Sequence, residues 1–97
     1  MATVELSNSA LADLDEIASY SIAMFGTEVA DAYVSELDKA FALLAEFPEL
    51  GFAVAELKQR LRCLPCGRHR IFYWYEGAVI LVVRVLHHAM DPREWLD

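Results

Sequence analysis

GRHRIFYWYEGAVILVVRVLHHAMD, residues 67–91, consists of two runs of β-branched and aromatic side chains that meet at Glu76-Gly77. Such side chains suit a pleated, half-buried surface better than a helix, and glycine at the junction supplies the positive φ of a tight hairpin turn. With Glu76 and Gly77 as the loop, Tyr75 faces Ala78, and counting outward pairs Tyr73 with Ile80, Arg70 with Val83 and His69 with Arg84. Directly opposed residues share a face. One face is then expected to carry His69, Ile71, Tyr73, Tyr75, Ile80, Val82 and Arg84, and the other Arg68, Arg70, Phe72, Trp74, Val79, Leu81, Val83 and Val85. Both faces are apolar near the turn and basic at the far end, which predicts a sheet covered on both sides with a cationic rim open to solvent or a partner.

Upstream, Thr3 to Leu6 reads as a short edge-like strand with Val4 and Leu6 on one side and Glu5 on the other. Ser7 is placed to cap a helix from Asn8 to about Phe25, whose Leu11, Leu14, Ile17, Ala18 and Ser21 repeat at three and four residues. Asp13, Asp15 and Glu16 fall early, where the helix dipole favours acids, and otherwise make a solvated face. Gly26 is expected to stop this helix as a left-handed cap. Thr27 then caps a second helix, from Glu28 to about Phe47, with a wide stripe of Val29, Ala30, Tyr33, Leu37, Ala40, Phe41, Leu44 and Phe47. The short link forces an antiparallel helical hairpin, and the sheet is the only area large enough to bury its shared apolar side. Pro48 and Gly51 turn the chain.

Ala53, Val54, Ala55, Glu56 and Leu57, within Phe52 to Arg60, fit either a helical turn or a loop lying over the sheet. Leu61 to Leu64 reads as a strand ended by Pro65. Asp91-Pro92-Arg93-Glu94-Trp95-Leu96 reads as a last helical turn, with Asp91 as cap, Pro92 in the first position, Glu94 closing a capping box and Trp95 packing it down. The order is β-α-α-β-β-β with a short C-terminal helical turn. It describes one α+β domain over residues 1–97, a helical hairpin laid on a mostly antiparallel three- to four-stranded sheet.

The 97 residues suffice for one core that buries roughly two-thirds of the unfolded chain's surface. Apolar residues make up 57% of the chain, yet no run approaches the roughly 20 apolar residues of a membrane span. The N-terminus has no basic segment leading into an apolar one, so a soluble cytoplasmic protein is expected. Net charge is −7. Residues 1–50 hold ten acids and one base, net −9, against five acids and seven bases in residues 51–97, net +2. A helical half so acidic would repel a phosphate backbone, which argues against direct, general nucleic-acid binding.

Cys63 and Cys66 form CLPC, but at the end of a strand rather than at a helix N-terminus, where a reactive thiol's pKa is lowered. His69, His87 and His88 lack the paired spacing of a zinc finger, and adjacent His87 and His88 would point to opposite sides of a strand. Two reduced packing thiols, no metal and no cofactor are the expectation.

ADLDEI in the first helix, AFALLAEFPELG closing the second, LRCLPCGRHRIFY leading into the hairpin and VRVLHHAMD at its end are similar, in this order and spacing, to the ParE and RelE toxin superfamily of bacterial type II toxin–antitoxin modules. The likeness covers nearly the whole chain and is nearer to the ParE branch. It implies a toxin held inactive in a hetero-complex by a cognate, ParD-like antitoxin. ParE-branch members bind and inhibit DNA gyrase, whereas RelE-branch members are ribosome-dependent mRNA endonucleases that work without metal. Such cleavage needs a base, an acid and cations for the developing phosphate charge. Arg70 matches a RelE-branch arginine. The segment after the last strand reads His87-His88-Ala89-Met90, with no arginine there and no following tyrosine, so Arg70, Arg84 and His87 or His88 are the only candidates for catalysis. Gyrase binding is therefore the leading expectation, with Arg68, Arg70, Tyr73, Arg84 and Trp95 as partner-binding positions. A ribonuclease, or a toxin fold that serves only as a binding module, are the alternatives. The arginines equally fit solvated strand ends or pairs with Asp91 and Glu94.

Overall fold

The computed structural model describes residues 1–55, 57 and 60–96. In chain order the elements are β1 (Thr3–Leu6), α1 (Asn8–Phe25), α2 (Thr27–Glu46), β2 (Phe52–Ala53), β3 (Arg62–Cys66), β4 (His69–Glu76), β5 (Val79–His87) and α3 (Pro92–Leu96). The strands form one sheet in the order β1-β5-β4-β3-β2, antiparallel except where β1 runs parallel to β5. The α+β architecture and the helical hairpin on the sheet agree with the sequence-based expectation. The sheet has five strands rather than three or four, because Phe52 and Ala53 pair with Cys63 and Arg62 instead of forming a helical turn or loop. Glu56, part of that ambiguous stretch, lies outside the described residues.

The β4–β5 hairpin turns one residue later than expected. Glu76 pairs with Val79, so the two-residue loop is Gly77-Ala78, with Gly77 at φ 57° in the position where a type II′ turn takes glycine. Tyr75 therefore opposes Ile80 and Tyr73 opposes Val82. The ladder then slips. Phe72 opposes Arg84, which leaves Val83 as an extra residue on β5, and beyond this bulge Ile71 meets Val85, Arg70 meets Leu86 and His69 meets His87. One inserted residue reverses facing beyond it. Val85, expected with Phe72, packs instead with Ile71 in the helix-side core.

That core joins Ala10 and Ile17 of α1 and Leu37, Ala40, Phe41 and Leu44 of α2 to Ile71, Tyr73, Ile80, Val82 and Val85. On the opposite face Leu57, Leu61 and Leu96 cover Cys63, Phe72 and Leu86. Parts of the expected helical stripes stay outside: Leu11, Val29 and Phe47 are exposed, and Phe47 lies past the end of α2 as its C-cap. Trp95 does not pack α3 down; it is 47% exposed and Leu96 is the buried residue.

Caps follow the sequence at some ends and not at others. Ser7 Oγ accepts from Ala10 N and donates to the Val83 carbonyl, so one hydroxyl both starts α1 and fastens it to β5. Gly26 breaks the helices at a positive φ of 88°, which favours glycine, although its ψ of 168° lies outside the left-handed helical values of the expected cap, and it also takes the N-cap position of α2, so Thr27 is helical and not a cap. Asp91 Oδ1 accepts from Arg93 N at the start of α3, as expected of a cap. Pro65 lies within β3 rather than ending it, tolerated because β2 pairs only with Arg62 and Cys63 and leaves the edge at Pro65 open. Gly51 sits against Tyr73, where an added Cβ would come within 2.7 Å of the ring.

Candidate functional site

The far end of β4 and β5 from the turn collects the rim arginines, three histidines and Trp95. Between α1, β5 and α3 lies a cleft of about 330 Å³ whose apolar lining includes Ile17, Tyr20, Met90 and Trp95, and whose polar lining includes Asp13, Glu16, His69, Arg84 and His87. It exists because β1 pairs with β5 only as far as Val82, while β5 continues to His87. A wider groove, about 920 Å³, opens at the turn end beside Arg60, Arg62, Trp74 and Tyr75, away from the rim.

Where β1 stops, Asp13 takes over. Its Oδ2 accepts from the backbone N–H of Val85 at 2.9 Å, as the next strand's carbonyl would, and its two oxygens receive Arg84 Nε at 2.8 Å and Nη2 at 2.7 Å. Both side chains are largely buried, at 19% and 11% exposure. Asp13 is thus not part of a solvated acidic face, and Arg84 pairs with neither Asp91 nor Glu94. The bidentate bond holds the Arg84 guanidinium above its ordinary pKa, and the same cation lies 5.6 Å from the centre of the Trp95 ring.

Arg70, also facing the rim, donates through Nη2 to the carbonyls of His88 at 3.3 Å and Met90 at 2.6 Å, bracing the turn after β5. Its guanidinium lies 5.5 Å from the Phe72 ring. Arg68 is exposed, and its N–H donates to the Tyr33 hydroxyl. Tyr73 is completely buried, donating to Pro48 O and accepting from Gly51 N, so in this form it offers no surface to a partner.

The histidines gather in a short row. The Tyr33 hydroxyl meets His69 Nδ1 at 2.5 Å, His69 lies edge-on to His87 with centroids 5.4 Å apart, and the His87 and His88 rings are 4.4 Å apart. Adjacent His87 and His88 do not diverge as expected, because β5 ends at His87 and the chain turns there. Burial, with help from His87 and His88 and against the pull of Asp13, lowers the His69 pKa below its ordinary value. His87 Nδ1 accepts from Ala89 N. Among the described residues no group of three or more His, Cys, Asp or Glu is arranged to hold a metal ion. Cys63 and Cys66 are free and lie on opposite sheet faces, and burial pushes both thiols up, away from the reactive thiolate.

The sequence located the rim and Trp95, but it did not identify Asp13 or Tyr33 as members of this end of the molecule. Asp13 carried no distinguishing signal among the acids of α1. Tyr33 read as one more member of an apolar stripe, and only its hydroxyl placed it otherwise.

A family model described as the ParE toxin of the type II toxin–antitoxin system parDE matches residues 4–92. Toxin ParE1 of Caulobacter vibrioides is 36% identical over 96 residues, covering 99% of each chain. Toxin ParE1 of Mycobacterium tuberculosis is 39% identical over 87 residues, covering 89% of each. A solved structure described as the chromosomal ParDE TA system from P. aeruginosa has the same fold, with a TM-score of 0.77 at 20% identity over 90% of this chain and 96% of that one.

Proposed function

Because the chain belongs to the ParE toxin family of type II toxin–antitoxin systems, we propose that it acts by binding: it inhibits DNA gyrase, and a cognate ParD-like antitoxin neutralises it in the cytoplasm. The observation that carries this reading is the bidentate Asp13–Arg84 bond in the cleft. A cation meant to stabilise charge on a cleaved phosphate must be free to meet it, and this one already faces a carboxylate. The cleft instead offers shape and apolar area, with Tyr20 60% exposed and Trp95 47% exposed on its walls. An antitoxin's C-terminal segment, folding as it docks, would cover such side chains.

The test is a supercoiling assay with purified gyrase and purified toxin. Inhibition that the antitoxin reverses is the expected result, and full gyrase activity at stoichiometric excess of toxin would sink the proposal. Primer extension on mRNA in a translating extract should show no codon-positioned cuts. Cuts that vanish in Arg70→Ala would move the chain to the ribonuclease class.

A further inference from the structure

In the cleft between α1, β5 and α3 one acid is left over. The lining holds two carboxylates, Asp13 and Glu16, and one guanidinium, Arg84. Asp13 is consumed, since its two oxygens receive Arg84 and one of them also receives the Val85 N–H. Glu16 is exposed and, among the described residues, has neither a hydrogen bond nor an ion pair; its charge acts on Arg84 only through space. His69, in the same lining, is kept toward its neutral form by burial.

Glu16 and Tyr20 are one turn apart on α1, so they stand side by side on the helix face that also brings Asp13 and Ile17 to the cleft. The wall formed by α3 adds Trp95, exposed like Tyr20. This ring already carries one cation, the Arg84 guanidinium 5.6 Å from its centre. From this geometry we infer that the cleft receives a lysine or arginine side chain of the antitoxin, its aliphatic stem against Ile17, Tyr20, Met90 and Trp95 and its cation at the Glu16 carboxylate. The occupant's identity rests on the antitoxin reading above. Long cationic side chains bury their methylenes while keeping the charged head in water, which suits apolar walls beside an exposed acid, and aromatic faces attract a cation. An acidic occupant would meet both Glu16 and a half of the chain, residues 1–50, with net charge −9. A purely aliphatic one would draw water from Glu16 without giving it a partner.

The test uses the full chain labelled with ¹⁵N at pH 7.5, above the ordinary histidine pKa, and follows the indole N–H signals of Trp95 and Trp74 by NMR. Nα-acetylarginine amide should shift Trp95 and leave Trp74 in place; Nα-acetylleucine amide should shift Trp95 less, and Glu16→Gln should remove the difference between the two probes. Cognate antitoxin should move the Trp95 signal as well. Glu16→Gln should weaken antitoxin binding roughly tenfold, whereas Asp15→Asn, which removes an equal charge from the neighbouring exposed position outside the cleft, should bind within about twofold of wild type. An equal response to the leucine probe would overturn the choice of a cation. If the antitoxin binds but Glu16→Gln costs no more than Asp15→Asn, the inference fails and the antitoxin reading survives. If the antitoxin does not bind the wild-type chain, both fail.

Discussion

Asp13 receives three hydrogen bonds, two from Arg84 and one from the backbone of β5. Asp13→Asn keeps the shape and one acceptor but leaves a largely buried guanidinium without its counter-ion, which should cost about 2–4 kcal/mol in urea unfolding. A loss under about 0.5 kcal/mol, the range of ordinary surface changes, would contradict the role given to this pair. His69 provides a pH-dependent counterpart. Its folded-state pKa is lowered from 6.5, chiefly by burial and then by His87 and His88, while Asp13 partly opposes them. The unfolded chain therefore takes up this proton first as pH falls. The stability that His69 contributes is fully present above pH 6.5 and is lost progressively below it, down through the folded-state pKa. Urea midpoints at pH 7.5 and 5.5 should fall with acidification in the wild type and fall less in His69→Phe. Equal slopes would remove the histidine from the account. The sequence singled out Arg84 and His69 as members of a rim, yet it could not show what each touches, since Asp13 is 71 residues from Arg84 and Tyr33 is 36 from His69.

At the scale of elements, the bulge at Val83 and the early end of β1 together shape the rim. The bulge turns Val85 toward α1, and the missing stretch of β1 leaves a strand edge that α1 reaches with side chains rather than backbone. Ser7 fastens this arrangement from the other side, since its hydroxyl meets both Ala10 N and Val83 O. Ser7→Ala removes a helix cap and a bond between elements at once, and should cost about 1–2 kcal/mol. Hydrogen exchange in that variant should be faster at the first turn of α1 and at Val83 to Val85 than across β3 and β4. A uniform change across the sheet would show that Ser7 acts on global stability alone. The helix bounds were readable because apolar spacing and the Ser7 cap are local signals. The hairpin register was not, because a two-residue loop at Gly77-Ala78 and one at Glu76-Gly77 leave the same residues alternating on the same faces near the turn.

For the whole molecule, the apolar side chains left outside matter most. Tyr20, Met24, Phe25 and Val29 lie around the helical link, Leu43, Phe47, Leu50 and Phe52 around the opposite end of α2, and Trp95 beside the cleft, each at least 47% exposed. A partner that covers part of this surface stabilises the folded state by mass action. With antitoxin at 100 times its Kd, unfolding should become harder by about 2.7 kcal/mol, visible as a concentration-dependent rise in Tm. Unchanged melting with excess antitoxin would mean that no complex forms.

The sequence by itself determined the class of fold, the helical hairpin, the hairpin strands and the family, because each rests on local periodicity, turn chemistry or motif order along the chain. Only the tertiary structure decided which rim cations are already engaged. Arg84 is closed by an acid from α1, whereas Arg70 is held by carbonyls of the turn after β5 and keeps an empty Nε. The two arginines look alike in sequence because a guanidinium's state depends on which acceptors the packed chain brings within about 3 Å of it, and those acceptors lie on elements whose mutual placement is fixed only when helices and sheet pack.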